Sequence, residues 1–449
     1  MTITAILNIE PVMRRSAKAS IPAPFAVVAW CAPPDVKHPL AQTLQELYRR
    51  ADQPAGLGRW QFGSAMSGRK TRLLYIVPPT RSFAGIERVT DSICAALATN
   101  YEQDLEVSVL YTSPFEQIIG QQRPYDVILS FSKGRLDLLR RVRRTIANGQ
   151  FDLVIVPQVE PTAVFWLCCL GIRRRFILHL HGNPRLERRS LKASLLFEAM
   201  RFLVLPRLAR VFGTSPRQLE AFQTDYPSRV EHVWVPNPVR SFDMSALAPS
   251  PGNPIRFVTV GRFAYQKGYD ILLRAFAAFC EKREDAELVL VGYGEEEPTI
   301  RALIDELGLA GKVTIEHQPE SPAIPLSRSD IYLSGARWEG WSLAICEALR
   351  FGLPVVAFDC EFGPSDIIID ERIGRLVALG DMAGFVAAMV YYHDHAVSER
   401  RHAQYRAAYI DRFSLDKVVH AHARALLAAD GRVERQSLNT VNAELAGAS

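Results

Sequence analysis

Residues 255–269 read IRFVTVGRFAYQKGY. The first six, Ile255 to Val260, form a short apolar run rich in β-branched residues, the pattern of a strand buried on both faces. Gly261 ends that run, and a helical pattern opens after Gly268. Arg262 and Lys267 therefore fall on one strand-to-helix loop. In a parallel α/β sheet such loops lie at the carboxyl edge, where open sheets of this kind bind ligands. The two glycines permit close approach of backbone to a ligand. An arginine and a lysine together suit a diphosphate, the first as a two-pronged donor and the second as a point charge. On spacing alone, two solvated cations on a loop remain an equally open reading.

The same rhythm extends in both directions. Ala286 to Val291, Lys312 to Glu316, Asp330 to Ser334, Pro354 to Phe358 and Arg375 to Ala378 read as further strands with helical stretches between them. Upstream, Arg72 to Val77, Leu105 to Tyr111, Asp126 to Phe131, Asp152 to Val156 and Phe176 to Leu180 repeat the pattern, with a helix over Gly85 to Leu97. Between the two series, residues 236–254 carry five prolines and little periodicity, which reads as a linker. The predicted fold is α/β: two facing doubly wound, Rossmann-like domains with a cleft between them. The expected boundaries are an extension at 1–68 outside the core fold, a first domain at 69–236, a linker at 237–253 and a second domain at 254–405. A helical segment at 406–430 is expected to pack back on the first domain, followed by a tail at 431–449.

Composition fits a soluble enzyme of this size. The 449 residues are 48% hydrophobic and 22% charged, which excludes a wholly disordered chain, a collagen and a small disulfide scaffold. No apolar run is long enough to span a bilayer. Seven cysteines without a C-x-x-C pair read as reduced thiols, pointing to a cytoplasmic protein. Near the N-terminus, Arg14, Arg15 and Lys18 precede an apolar stretch from Ile21 to Ala32 that superficially resembles a signal peptide, but Pro22, Pro24, Pro33 and Pro34 interrupt it. Met66, just before the first convincing strand, is a candidate start.

Charge is unevenly spread. Residues 69–245 hold 25 basic and 16 acidic residues, whereas residues 246–400 hold 14 and 23. A basic first half suits phosphates or an anionic membrane, though a solvated surface is the plain alternative. Residues 185–210 read as a basic amphipathic helix able to lie on anionic lipid. Nucleic acid is not expected as a partner, because the basic residues lack an interleaved stacking array. Histidines recur in pairs (His179 and His181, His393 and His395, His420 and His422), but none has a third ligand nearby in sequence. No metal or other cofactor is expected, and there is no Asp-x-Asp motif.

A second informative stretch runs over residues 337–356, RWEGWSLAICEALRFGLPVV. Ser342 is placed to cap a helix that ends at Gly352 and Pro354. Glu339 then lies in the strand-to-helix loop, and Glu347 about one and a half turns into the helix. The amides from Gly340 to Leu343 sit at a helix start, suited to phosphate or sugar oxygens. Paired carboxylates suit a hydroxyl-rich ligand, while on spacing alone a loop residue and a solvated helix residue are equally open. Gly292 and Gly294 lack the third glycine of a dinucleotide fingerprint, which disfavours a dehydrogenase.

Taken together, G-R-x4-K-G at 261–268, E-x7-E from Glu339 to Glu347 and the E-A-L-x-x-G-x-P-V-V that follows resemble the retaining family-4 glycosyltransferases of the glycosyltransferase-B fold. Cys360-Glu-Phe-Gly-Pro-Ser-Asp-Ile-Ile resembles a segment of their bacterial surface- and exopolysaccharide members. In the first half, Ala84-Gly-Ile-Glu-Arg-Val and the strand ending near His181 are similar to the family as well. The resemblance implies a transferase moving a sugar from a nucleotide sugar, uridine diphosphate-linked by expectation, to a glycan acceptor, plausibly lipid-linked, at the inner face of a membrane.

It also implies roles by position. Arg262 and Lys267 would hold the diphosphate, Glu347 the ribose and Glu339 the donor sugar. Gly85 and Gly261 would let their loops approach the diphosphate. His181 would contact the sugar from the acceptor side, and Gly340, Trp341, Ser342 and Leu343 would line the donor. Trp341 and Ser342 depart from the family's usual Phe and Gly or Pro, and Ala84 replaces a glycine. An epimerase or phosphorylase on the same fold, or a non-catalytic subunit of a polysaccharide assembly, are the alternatives.

Overall fold

A computed structural model describes residues 69–432 except 81, 82, 84, 188–190, 246, 248–251 and 319. The extension at 1–68, its candidate start Met66, Ala84 and the tail beyond 432 lie outside the described residues. The described residues form two compact units, 69–179 with 191–210, and 180–187 with 211–432.

Elements before the linker are β1 (Thr71–Val77), α1 (Gly85–Asn100), β2 (Leu105–Tyr111), β3 (Asp126–Leu129), α2 (Arg135–Asn148), β4 (Leu153–Pro157), α3 (Val159–Cys168), β5 (Arg175–Leu180), α4 (Pro184–Glu187) and α5 (Leu191–Ala199). Then come β6 (Arg210–Gly213), α6 (Pro216–Asp225) and β7 (His232–Trp234). The strand order of this sheet is β3-β2-β1-β4-β5-β6-β7. The ladders joining β3, β2, β1, β4 and β5 are parallel, as is β6 with β7.

After the linker come β8 (Ile255–Val260), α7 (Tyr269–Cys280), β9 (Ala286–Val291), α8 (Glu297–Glu306), β10 (Val313–Glu316), α9 (Ala323–Ser327), β11 (Ile331–Ser334) and α10 (Leu343–Arg350). They are followed by β12 (Val355–Asp359), α11 (Pro364–Ile367), β13 (Gly374–Ala378), α12 (Met382–Asp394), α13 (Ala396–Glu399), α14 (Ala403–Ile410) and α15 (Leu415–Ala429). This second sheet is parallel throughout, in the order β10-β9-β8-β11-β12-β13.

Why these short apolar runs become central strands shows in where alternate side chains go. Phe257, Leu288, Leu290, Leu333 and Val356 enter one cluster with Leu272, Phe276, Phe279, Phe385 and Met389 of α7 and α12. Their neighbours Val258, Val289, Val291, Tyr332 and Val355 enter another with Ile345 and Cys346 of α10 and Val418 of α15. Successive side chains on a strand point to opposite faces, so a run buried on both faces is apolar at successive positions in its centre, not only at alternate ones.

One element departs from the sequence reading. The stretch 185–210 does not run to its end as a single amphipathic helix. The chain makes α4, then α5, then a π turn over Met200–Val204 and a 3-10 turn over Leu205–Arg207. Pro206 explains the break, because its ring cannot sit beside the carbonyl of Phe202 in regular α geometry and it has no N–H to donate. Two strands also escaped the sequence. RVFG in β6 and HVW in β7 are short and carry charged or polar residues at their ends, too little pattern to recognise.

Candidate functional site

Strands β8, β9 and β10 run outward in one direction from the middle of the second sheet, and β11, β12 and β13 in the other. The order reverses between β8 and β11, the switch point beside which doubly wound sheets bind ligands at the carboxyl ends of their strands. The loop after β8 is the one carrying Arg262 and Lys267, and the loop after β11 carries Glu339 to Ser342.

Backbone hydrogen bonds stitch these two loops together. Arg337 N–H donates to the Gln266 carbonyl at 2.8 Å, and Gln266 Nε2 donates to the Trp338 carbonyl at 3.0 Å. The Arg337 guanidinium donates to the Tyr265 carbonyl at 2.8 Å and to both oxygens of Asp270 at 2.9 and 2.7 Å. It also lies 3.9 Å from the Tyr265 ring centroid. Glycines set the spacing: a Cβ on Gly268, at φ +64°, would stand 2.0 Å from the Gly335 carbonyl oxygen. Gly292 and Gly294, set aside as an incomplete fingerprint, serve packing. Added Cβ atoms there would lie 1.9 Å from the Gly261 oxygen and 2.3 Å from the Phe263 oxygen.

At the centre, Lys267 Nζ donates to Glu339 Oε1 at 2.6 Å. The side chains are 25% and 7% exposed, so the carboxylate is almost withdrawn from water while the ammonium keeps one side open. An ammonium has three donors, and Glu339 takes one of them. Arg262 is exposed and makes no hydrogen bond or ion pair among the described residues. Gly261 accepts a 2.7 Å hydrogen bond from the Tyr269 hydroxyl, which pins the start of the loop. Behind Glu339 lies Gly363, at φ +84°, whose added Cβ would be 3.3 Å from the Glu339 Cβ.

Gly340 is buried, and a Cβ there would stand 2.1 Å from the carbonyl oxygen of His181 in the same unit. Ser342 precedes α10 as expected, yet its side chain makes no capping hydrogen bond; its carbonyl accepts from the Cys346 amide at 3.2 Å. The Trp341 indole is 5% exposed and packs edge-on against Phe413 at 4.9 Å, in the core. Leu343 is half-buried at the first helical position. Glu347, also in α10, is 7% exposed and faces Arg240, whose Nε lies 3.3 Å from its Oε1.

Burial pushes the His181 imidazole down to about 4, partly offset by a hydrogen bond with Asn237. At neutral pH the ring is therefore uncharged, a polar contact rather than a cation. His422 of α15, fully buried, is pushed down to about 3 by burial and by its proximity to His181. Gly85 lies in the other unit, exposed at the first position of α1, and an added Cβ would meet nothing within 4 Å. Among the described residues, no group of three or more His, Cys, Asp or Glu is placed to hold a metal ion. Sequence reasoning missed Arg240, Asn237 and His422 as neighbours of the site. Only the linker's departure from periodicity marked the first two, and His422 was noted merely as one of a histidine pair.

Comparison with known proteins bears on this geometry. Residues 83–240 match the family described as Glycosyltransferase Family 4, and residues 244–410 match Glycosyl transferases group 1. An uncharacterized glycosyltransferase of Haemophilus influenzae is 24% identical over 298 residues, 66% of this chain and 82% of that protein. The lipopolysaccharide 1,6-galactosyltransferase of Escherichia coli is 29% identical over 41% of this chain and 53% of its own length. Among solved structures, Anabaena HepE in complex with UDP superposes with a TM-score of 0.65 at 19% identity, covering 80% of this chain and all of that one. Staphylococcus aureus TarM, solved with UDP, gives 0.66 at 11% identity over 79% and 99%. Both likenesses establish the fold: two parallel-sheet α/β domains of the glycosyltransferase-B type.

Proposed function

The chain belongs to the glycosyltransferases, family 4 matching its first half and group 1 its second, and from that premise we propose a retaining enzyme. It moves a sugar from a nucleotide diphosphate, uridine diphosphate in the first instance, to a hydroxyl of a glycan. The observation that carries this reading is the pairing of Lys267 with the buried Glu339 beside the exposed Arg262, on the two loops that diverge between β8 and β11.

The chemistry follows from those groups. The acceptor oxygen bonds to the anomeric carbon as the bond from that carbon to the diphosphate oxygen breaks. The acceptor proton passes to a diphosphate oxygen on the same face, so configuration is retained. Negative charge grows on the leaving diphosphate. Arg262 and the two outward donors of Lys267 meet it there, already in place before the bond breaks. Glu339, fixed by Lys267, accepts hydrogen bonds from hydroxyls of the departing sugar, and Glu347 from those of the ribose. The neutral His181 ring orients the sugar from the other side. Gly340 to Ser342 contribute main-chain amides at the start of α10, Trp341 through its backbone, since its ring is in the core, and Leu343, whose N–H donates to the Trp341 carbonyl at 3.1 Å, lines the donor beside them.

A lipid-linked acceptor at an anionic membrane surface fits the basic first half. Arg201, Phe202, Leu203, Pro206 and Arg207 are all exposed after α5, with Leu195 71% and Phe202 64% accessible. No helix among the described residues is long and apolar enough to cross a membrane. Co-sedimentation with phosphatidylglycerol vesicles at low salt, reduced by Phe202→Ser, supports this; full recovery in the supernatant removes it.

The test of the proposed reaction is a transfer assay with UDP-glucose, UDP-galactose and their N-acetyl forms against lipid-linked and free oligosaccharides, with the product anomer read by proton NMR. Acceptor-dependent release of UDP with an α-linked product supports a retaining transferase. A β-linked product contradicts retention. Interconversion of the sugar without an acceptor supports an epimerase, and transfer to phosphate a phosphorylase.

A further inference from the structure

Arg240 stands in the proline-rich linker, outside every motif of the sequence, yet the structure ties it to the nucleotide end of the site. Its Nε lies 3.3 Å from Oε1 of Glu347. Its Nη1 donates to the Glu320 carbonyl at 2.8 Å, and its guanidinium sits 5.8 Å from the Phe242 ring centroid. The segment around it is anchored as well. Val239 N–H donates to the Phe413 carbonyl at 2.8 Å, and Phe242 packs on Phe351 at 5.0 Å, one residue beyond the end of α10. The Arg240 guanidinium thus meets a carboxylate, a carbonyl and a ring, with its own side chain 36% exposed and the Glu347 side chain 9%.

We propose that Arg240 is a positioning residue for the ribose: it holds the Glu347 carboxylate in the orientation that accepts the vicinal hydroxyls of the nucleotide. The inference rests on the reading of Glu347 as the ribose acceptor. A carboxylate has about four lone-pair sites on two oxygens. With Oε1 against Arg240, rotation of the carboxylate is restrained and its plane is held at one angle. A pair of hydroxyls on adjacent carbons needs that constraint, because both bonds form together only at one carboxylate angle. Arg240 also keeps a buried carboxylate compensated when no nucleotide is present.

The experiment is calorimetric titration of the full chain with UDP and with 2′,3′-dideoxy-UDP, or with the guanosine or adenosine pair if one of those binds tighter. Wild type is compared with Arg240→Ala, Arg240→Lys and Glu347→Gln, each checked by its melting temperature. The expected result is that Arg240→Ala weakens the ribonucleotide about tenfold and the dideoxynucleotide by less than about twofold. Arg240→Lys, which keeps charge but not the Nε geometry, recovers part of the loss. Combining Arg240→Ala with Glu347→Gln costs little beyond Glu347→Gln alone. Equal weakening of both nucleotides, no weakening, or tighter binding in Arg240→Ala overturns the inference while leaving Glu347 in its role. If wild type binds the dideoxynucleotide as tightly as the ribonucleotide, the reading of Glu347 falls and this inference with it. Should Arg240→Ala not fold, Arg240→Lys and Arg240→Gln carry the same comparison.

Discussion

Replacing Lys267 by methionine keeps the length of the side chain and removes only its charge and donors. In the structure that ammonium is 2.6 Å from Glu339 Oε1. At an effective dielectric of about 20, two unit charges at that separation attract by about 6 kcal/mol before desolvation is counted. Breaking a buried pair by deleting one partner typically costs about 3–5 kcal/mol, because the remaining charge is left without compensation. Lys267 is a quarter exposed and Glu339 almost buried, so the expected loss of stability is about 2–3 kcal/mol. Removing Glu339's charge as well should restore most of it. Lys267→Met/Glu339→Gln is therefore expected to melt closer to wild type than Lys267→Met. Catalysis behaves differently. Loss of a preorganised donor to the leaving group costs about 10²–10³ in kcat, and the double variant should recover none of it. Melting curves for wild type, Lys267→Met, Glu339→Gln and the double variant, with kcat and KM for wild type, Lys267→Met and the double variant, separate the two effects. Additive losses of stability contradict the Lys267–Glu339 pairing, and a less than about tenfold fall in kcat contradicts Lys267 as a donor to the leaving group.

Other expectations follow from the same contacts. His181 and His422 stay uncharged in the folded chain, pushed down to about 4 and about 3, chiefly by burial. The unfolded chain takes up protons on both below about pH 6.5, so unfolding binds protons and stability falls as pH drops toward 4. Each histidine contributes up to about 1.4 kcal/mol per pH unit in that window. Urea titrations from pH 7 to 4.5 should show a shallower slope in His422→Gln, and an unchanged slope speaks against its burial as a neutral ring. Gly340→Ala places a Cβ 2.1 Å from the His181 carbonyl oxygen, so loop and strand end must part. About 1–3 kcal/mol of overpacking is expected, together with weaker UDP binding by calorimetry; wild-type affinity contradicts it. Arg406, fully buried, pairs with Glu399 and donates to the Arg372 carbonyl at 2.6 Å and the Gly352 carbonyl at 3.2 Å. Arg406→Met is expected to lose about 3–5 kcal/mol, with part regained in Arg406→Met/Glu399→Leu, both read by chemical denaturation.

Much of the second sheet could be read in advance because its strands are buried on both faces and are apolar at most positions. Ile255–Val260 and Ala286–Val291 have the same bounds in sequence and structure. Arg262, Lys267 and Glu339 were legible as a set for a related reason: a strand followed by glycine and then a helix puts its loop at the sheet's carboxyl edge. The order of strands, which makes β8 and β11 neighbours, is a matter of tertiary pairing that no local pattern encodes. The same holds for Arg240, whose partner Glu347 is reached only after the linker docks on α10. Trp341 shows the limit from the other side. Its place after E-G put it among the residues lining the donor, while its ring packs against Phe413, a contact made by a segment far along the chain. β6 and β7 were missed because three or four residues carry too little periodicity.

The central claim is that a nucleotide's diphosphate is held by Arg262 and Lys267 on the loop after β8. Calorimetric titration of UDP into wild type, Arg262→Gln and Lys267→Met tests it most directly. Saturable binding to wild type is expected, weakened at least about tenfold by either substitution, as for hydrogen bonds to a charged group. Wild-type affinity in both variants would contradict it.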